Sequence, residues 1–162
     1  MEKNPTLHAT VPKAVPQKRE VWDAETIFLA LDVCDDARLK LAINLAFACS
    51  MRIGEILGLT WDCVDISPKS IADGTASIII TKELQRVDKT AMKSLEQKDV
   101  LFIFPQSSKR NTSMLVLKKP KTESSVRKVF IPATVAHQLE SWKREQERIM
   151  KKDARGRHIL NG

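Results

Sequence analysis

The chain has 162 residues, 43% of them hydrophobic and 29% charged, which is the size and composition of one soluble globular domain. Its formal net charge of +7 favours an acidic partner, such as nucleic acid or an anionic surface. The sequence shows no apolar run long enough for a membrane span and no signal-peptide pattern, and its three cysteines have no C-x-x-C spacing, which indicates reduced thiols. Membrane, secreted, collagenous and fully disordered proteins are therefore excluded.

The beginning of the chain predicts a linker followed by a helix. Three prolines within residues 1–20 interrupt any helical period, so we expect this segment to be extended. Asp23 is a good N-cap, and the apolar spacing that follows predicts a helix ending near Val33.

Two further helices are predicted before the first strand. Asp35 or Asp36 begins the second helix, which is apolar on almost every side over residues 41–49. Such a pattern is typical of a helix in the middle of a core. A short third helix is predicted over residues 53–59 and is closed by Gly58.

The second half of the chain changes to β-forming residues. Four segments predict strands, namely 76–84, 100–104, 114–119 and 126–131. Residues 88–98 are polar and predict an inserted loop, whereas the turn at 120–125 predicts a hairpin of the last two strands. An amphipathic helix follows Pro132. Helices, then a small antiparallel sheet, then a helix define an α+β fold rather than a parallel βαβ sheet.

Arg52 is the first residue with an unusual chemical setting. It directly follows the apolar second helix, and a charge at the edge of a core is costly unless it has a partner. Glu55, three positions on, could form an internal pair with it. Alternatively, the guanidinium could bind an external anion, since its two-pronged donor matches phosphate oxygens.

A basic turn is the second unusual feature. Residues 106–130 carry seven basic side chains and a single acid, Glu123, and Lys121 lies at the predicted turn. Basic runs are often only solvated surface, but a hairpin finger with a basic tip can also reach into a nucleic-acid groove. The candidate DNA-binding side chains around it are those of Lys118, Lys119, Thr122 and Arg127.

Two segments resemble the catalytic domain of tyrosine recombinases, the family of phage and conjugative-transposon integrases. Residues 47–61, FACSMRIGEILGLTW, are similar to the family's apolar helix, small residue and Arg-x-x-Glu-Leu-x-x-Leu-x-Trp pattern. Residues 120–132, PKTESSVRKVFIP, match every fixed position of its Pro-Lys-Thr-x-x-Ser-x-Arg-x-Val-x-Ile-Pro pattern. Residues 4–5 and 22–25 also resemble the linker that leads into this domain, so the resemblance covers nearly the whole chain.

The resemblance implies a role for three of these residues. Arg52 would be catalytic by binding nonbridging oxygens of the scissile phosphate and stabilising transition-state charge. Lys121 would be catalytic as the general acid that protonates the leaving 5′ oxygen, and Glu55 would be a structural support that orients Arg52. The family uses a tyrosine nucleophile, which forms a 3′-phosphotyrosyl link, and needs no metal or other cofactor.

The later family residues do not occur in this sequence. No His-x-x-Arg begins at His8, His137 or His158, and there is no tyrosine. We therefore expect residues 21–152 to be the N-terminal half of an integrase catalytic domain, truncated and unable to cleave DNA alone. Residues 1–20 are the expected interdomain linker and residues 153–162 a frayed tail.

The expected partners are double-stranded DNA and, in a full-length protein, other recombinase protomers bound to that DNA. We expect a cytoplasmic protein of bacterial or phage origin, with no membrane partner. Two alternatives stay open. One is a non-catalytic DNA-binding or regulatory module, which does not need Arg52 and Lys121 to converge. The other is a basic protein-interaction domain without a nucleic-acid role.

Overall fold

The computed structural model describes residues 20–94, 99–105 and 111–159. The chain divides into two compact units, Met1–Val33 and Cys34–Gly162. The first unit contributes helix α1 (Ala24–Val33), where Asp23 Oδ1 accepts a hydrogen bond of 2.8 Å from the Thr26 N–H. This cap and the helix end confirm the sequence prediction.

The second unit contains the other helices, which are α2 (Ala37–Ala48), α3 (Ile53–Leu57), α4 (Pro68–Ala72), α5 (Lys89–Ser94) and α6 (Ala133–Ile159). Asp36 caps α2 by accepting from the backbone of Arg38 and Leu39, as predicted. α2 buries one face, through Leu41 and Leu45, and leaves Phe47 52% exposed. The prediction of a helix buried on every side is therefore wrong, because the Leu39 and Phe47 side chains of α2 are more than half exposed.

In the described part of the chain, six strands form two antiparallel sheets. The strands are β1 (Val64–Asp65), β2 (Ser77–Ile80), β3 (Glu83–Asp88), β4 (Val100–Ile103), β5 (Ser113–Lys118) and β6 (Arg127–Phe130). The first sheet has the order β1-β2-β6 and the second the order β3-β5-β4. The α+β class predicted from the sequence is confirmed.

The strand pairing differs from the sequence prediction in two respects. The predicted strand 76–84 is divided, since β2 ends at Ile80 in the first sheet and β3 begins at Glu83 in the second. The predicted hairpin of 114–119 with 126–131 is also wrong, because β5 pairs with β3 and β4, whereas β6 pairs with β2. As the central strand of its sheet, β5 has no free edge for β6.

The polar insertion is more ordered than a loop. Residues 89–94 form α5, and residues 95–98 lie outside the described part of the chain. The predicted strand 100–104 is confirmed as β4. The predicted loop therefore contains α5, and β4 of the second sheet follows it.

The core lies between α2, the first sheet and α6. Its fully buried members are Leu41, Leu45, Cys49, Met51, Ala76, Ile78, Ile80, Ile131, Val135, Ala136 and Leu139. α6 continues through Ile159, past the predicted boundary at 152, so residues 153–159 are helical rather than an irregular tail. Residues 160–162 lie outside the described range. Within the described residues, no helix combines the length and apolarity of a membrane span.

Candidate active site

Arg52 stands at the N-cap of α3, where the chain turns sharply after α2. Ser50 makes this turn with φ of 51°, a left-handed conformation that is uncommon for a residue other than glycine. The Arg52 N–H donates to Glu55 Oε2 at 2.8 Å, and Arg52 Nη1 donates to Glu55 Oε1 at 3.2 Å. Glu55 is 3% exposed, whereas the Arg52 side chain is 70% exposed. The buried carboxylate thus fixes the backbone of Arg52 and leaves most of its guanidinium in solvent.

Arg127 is the principal partner of Glu55. Its Nη1 donates to Glu55 Oε1 at 2.8 Å and its Nη2 donates to Oε2 at 2.9 Å. The same nitrogens reach the carbonyls of Ser125 at 3.3 Å and Ser50 at 3.4 Å. The hydrogen bonds from Arg127, and after them the backbone of Arg52, hold the pKa of Glu55 below its usual value, although burial opposes this. Both terminal nitrogens of Arg127 are therefore used within the protein.

The strand register brings two lysine-bearing segments to one end of the first sheet. Ile80, the last residue of β2, pairs with Arg127, the first residue of β6. The chain leaves this end through Thr81 and Lys82 and returns to it through the turn that carries Lys121. Because Arg127 holds Glu55 here, both segments lie at the end of the sheet where α3 begins.

Lys121 lines an open groove of about 620 Å³. Lys82, Lys119 and Thr122 contribute to the same groove, and the carboxylates of Asp99 and Glu123 lie along it. The predicted residues Lys119, Lys121 and Thr122 are thus brought together, with exposed side chains. Thr122 Oγ1 lies 3.1 Å from Ser124 Oγ and 2.9 Å from Ser125 Oγ, so the turn presents a cluster of hydroxyl groups.

The remaining predicted residues are placed differently. Lys118 pairs with Glu83 across the second sheet, with 3.8 Å between Nζ and Oε1. Arg52 is not among the residues that line the groove, and in the described part of the chain no hydrogen bond or ion pair joins it to Lys121. The structure therefore shows an Arg52–Glu55–Arg127 cluster and a separate set of groove residues at one end of the first sheet.

Helix α3, which begins directly after Arg52, packs closely on strand β3. A Cβ atom at Gly58 would lie 2.7 Å from the Leu84 backbone nitrogen, and one at Gly54 would lie 3.0 Å from the Leu84 carbonyl oxygen. Two glycines four positions apart form a flat strip on the helix, which lets the strand backbone approach. α3 therefore contacts the second sheet directly.

Lys82 is a groove residue that the sequence analysis missed. Its Nζ donates to Asp62 Oδ2 at 2.6 Å and to Thr60 Oγ1 at 2.7 Å, and its side chain is 21% exposed. The bonds from Lys82 and Thr60 lower the pKa of Asp62 to about 2. The sequence signal that could have identified Lys82 is a basic residue two positions after the apolar run Ile78–Ile80.

No metal-binding arrangement is evident among the described side chains, since they include no group of three or more His, Cys, Asp or Glu placed to hold an ion. An exposed arginine and a groove lined by lysines, both at one end of the first sheet, fit the class of domains that bind the DNA backbone.

Residues 20–149 match the phage integrase family. This match covers most of the chain, which therefore belongs to the phage integrase family of tyrosine recombinases. Membership implies DNA binding, DNA integration and recombination, and assembly of several recombinase protomers. The comparisons with curated proteins and with solved structures gave no match.

Proposed function

We propose that this chain supplies the phosphate-binding part of a tyrosine recombinase active site that acts on double-stranded DNA. Arg52 binds nonbridging oxygens of the scissile phosphate, and Lys121 gives its proton to the 5′ oxygen as the P–O5′ bond breaks. A tyrosine oxygen forms the new bond to phosphorus and gives up its phenolic proton to water or to a base outside these residues. Because these 162 residues contain no tyrosine, the nucleophile has to come from outside them, and they cannot cleave DNA alone. The proposed setting is the cytoplasm of a bacterium, with a bacterial or phage gene as the source.

The observation that supports this proposal is that Arg127 and Arg52 make different contacts with Glu55. Arg127 satisfies the buried carboxylate of Glu55 with two hydrogen bonds, and Arg52 adds one long side-chain bond to it. Two guanidinium groups share one carboxylate, so the cluster keeps a net positive charge. The more exposed member is Arg52, whose remaining N–H groups can donate to the oxygens of a phosphate.

The setting of Lys121 supports the second role. Its ammonium lies on a flexible stem in an open groove, beside the hydroxyl groups of Thr122 and its neighbours. Hydroxyl groups commonly position DNA by donating to phosphate oxygens. A flexible lysine beside such an anchor can follow the leaving oxygen as the bond breaks.

Duplex binding tests the role of Arg52. We expect the chain to bind a fluorescein-labelled duplex with an affinity that falls steeply with salt, as measured by fluorescence anisotropy. Arg52→Ala should weaken binding by roughly tenfold, since it removes a charge-assisted contact to phosphate. Arg38→Ala is the matched control, because Arg38 is 69% exposed and also pairs with a nearby carboxylate.

Equal effects of the two substitutions would contradict the assignment of Arg52. Salt-independent or undetectable DNA binding by the unmodified chain would favour the basic protein-interaction domain instead.

The role of Lys121 requires a form of the protein that includes the tyrosine. In that form Lys121→Ala should abolish strand exchange and leave duplex binding nearly unchanged. A substrate whose leaving 5′ oxygen is replaced by sulfur should restore cleavage, because a thiolate leaves without an acid. Intact recombination by the Lys121→Ala protein on ordinary DNA would remove the assignment.

A further inference from the structure

Lys82 is a groove lysine whose ammonium is held in place before any ligand arrives. Asp62 Oδ2 and Thr60 Oγ1 accept two of its hydrogen bonds, at 2.6 and 2.7 Å. These contacts come from the turn Trp61–Cys63 and its N-cap, which lie 20 or more positions earlier in the chain. Lys82 is therefore fixed by tertiary structure, whereas Lys121 has a surface turn as its only support among the described contacts.

The location of Lys82 connects it with the proposed reaction site. Lys82 follows Ile80, the last residue of β2, by two positions, and Ile80 pairs with Arg127. Lys82 also lines the same groove as Lys119 and Lys121. The strand register thus places this ammonium at the end of the sheet that carries the Arg52 cluster.

The partner of Lys82 is suited to release it. Asp62 is 66% exposed, so its carboxylate can return to water at little cost once another anion takes its place. Thr60 is a neutral acceptor and can keep its hydrogen bond during the exchange. The hydrogen bond to Asp62 raises the pKa of the Lys82 ammonium, although burial opposes this, so Lys82 stays charged.

We propose that Lys82 is a phosphate-binding lysine of this groove, and that Asp62 holds its ammonium until a DNA phosphate replaces the carboxylate. This inference rests on the proposed function, since it adds a ligand to the same DNA-binding site. One anion replaces another at a fixed cation, so binding requires little new ordering of the lysine side chain. Asp62 acts as an internal competitor of DNA.

The competition predicts effects of opposite sign at the two positions. Lys82→Ala should weaken duplex binding by roughly tenfold and reduce the slope of log K against log salt by about one. Asp62→Asn should tighten binding by a few fold, because the amide competes less well than the carboxylate for the ammonium. Lys82→Arg should retain most of the affinity because it keeps the charge.

Fluorescence anisotropy with a labelled duplex over a salt series measures these effects, and circular dichroism melts confirm that each variant is folded. Lys69→Ala, at an exposed lysine of α4, is the control for general loss of charge. Weakening by both Lys82→Ala and Asp62→Asn would show a merely structural pair and overturn the proposal. So would an effect of Lys82→Ala no larger than that of the control.

Failure of this inference is distinguishable from failure of the proposed function. If Arg52→Ala weakens binding while Lys82→Ala and Asp62→Asn change nothing, the inference is wrong and the proposed function stands. If the unmodified chain does not bind duplex DNA, both are wrong.

Discussion

Arg127 and Glu55, 72 positions apart in the chain, join β6 to α3 through two parallel hydrogen bonds of 2.8 and 2.9 Å. The pair is the centre of the candidate site, because Glu55 in turn accepts from the backbone N–H of Arg52. Arg127 was predicted to bind DNA. Its contacts support a different role. Arg127 makes the two shorter side-chain hydrogen bonds to Glu55, so that most N–H groups of the Arg52 guanidinium stay available to a ligand.

Arg127→Lys should lower the free energy of unfolding by about 2 kcal/mol. Lysine cannot reproduce the two parallel hydrogen bonds of arginine. One oxygen of the Glu55 carboxylate, which is 3% exposed, therefore loses its hydrogen bond from residue 127. The value is below the roughly 3–5 kcal/mol that breaking a fully buried pair costs, because lysine keeps one contact and Arg127 itself is 33% exposed. Urea denaturation followed by circular dichroism measures the change.

Arg38→Lys is the matched control for this substitution. Arg38 also makes two hydrogen bonds to one carboxylate, that of Asp36, but both groups are exposed and screened by water. We expect its unfolding midpoint to stay close to that of the unmodified protein. Similar losses for the two variants would show that burial of Glu55 does not strengthen its pair.

The pKa of Glu55 gives stability a predictable dependence on pH. The hydrogen bonds from Arg127 hold this pKa below the ordinary value of 4.5. A carboxyl group with a lowered folded-state pKa stabilises the protein fully above its unfolded pKa, and this contribution is lost as the pH falls through the folded-state value. Stability should therefore fall on acidification below about pH 4.5.

Glu55→Gln should remove this part of the acid dependence, because the amide does not titrate. Thermal melts between pH 6 and 3 should show a flatter profile for the variant and lower stability at pH 6. Glu145→Gln provides the comparison, since Glu145 pairs with Arg148 on the surface and also has a lowered pKa. An unchanged slope in the Glu55→Gln protein would contradict the role of this carboxylate.

Gly58→Ala should destabilise the protein by about 2 kcal/mol. The φ of −90° at Gly58 is allowed for alanine, but the added Cβ would lie 2.7 Å from the Leu84 nitrogen and 2.8 Å from the Glu83 carbonyl carbon. These are backbone atoms, so the helix or the strand has to move. Urea denaturation reports the loss.

Gly74 serves as a control that distinguishes the effect of a packing clash from the effect of backbone conformation. Gly74 has φ of +66° and open space around the position of a Cβ atom. Asn tolerates this left-handed conformation, so Gly74→Asn should change the unfolding free energy by less than about 1 kcal/mol. If Gly58→Ala leaves the unfolding free energy unchanged, α3 does not pack tightly on β3.

Local signals allowed α1, α2, α3, α6 and the family to be predicted from the sequence, whereas α4 was not predicted and α5 was expected to be a loop. Asp23 and Asp36 are caps that act within three or four residues, and both were found in place. The Arg52 and Lys121 segments carry motifs that are continuous in the chain. Such features depend on neighbours in sequence, and the sequence contains them in full.

Strand partners and the ion-pair network depend on distant residues and were not predictable in the same way. The turn at 120–125 suits a hairpin, yet it carries the chain from β5 in one sheet to β6 in the other. Arg127 was predicted only as a DNA contact, and its pairing with Glu55, 72 positions away, leaves no local signal in the sequence. The anchoring of Lys82 by Asp62 is hidden for the same reason.

The apolar strand β4 should drive self-association of the chain. Its residues Leu101, Phe102 and Ile103 are 45%, 52% and 39% exposed, and within the described residues it pairs with β5 alone. The rings of Phe102 and Phe104 meet edge to face at 5.0 Å, which forms an apolar surface beside the open strand edge. An exposed apolar edge strand is a template for pairing with another copy.

Phe102→Lys should therefore shift the sedimentation profile toward the monomer at concentrations where the unmodified chain associates. Phe47→Lys is the matched control, because Phe47 is also 52% exposed but lies on helix α2, which has no free strand edge. A lysine on an edge strand adds charge without occupying a hydrogen-bonding position, so the β4 substitution should leave the fold intact. If both lysine variants reduce association equally, general apolar exposure and not the edge of β4 is responsible. A monodisperse monomer before any substitution would rule out association through either surface.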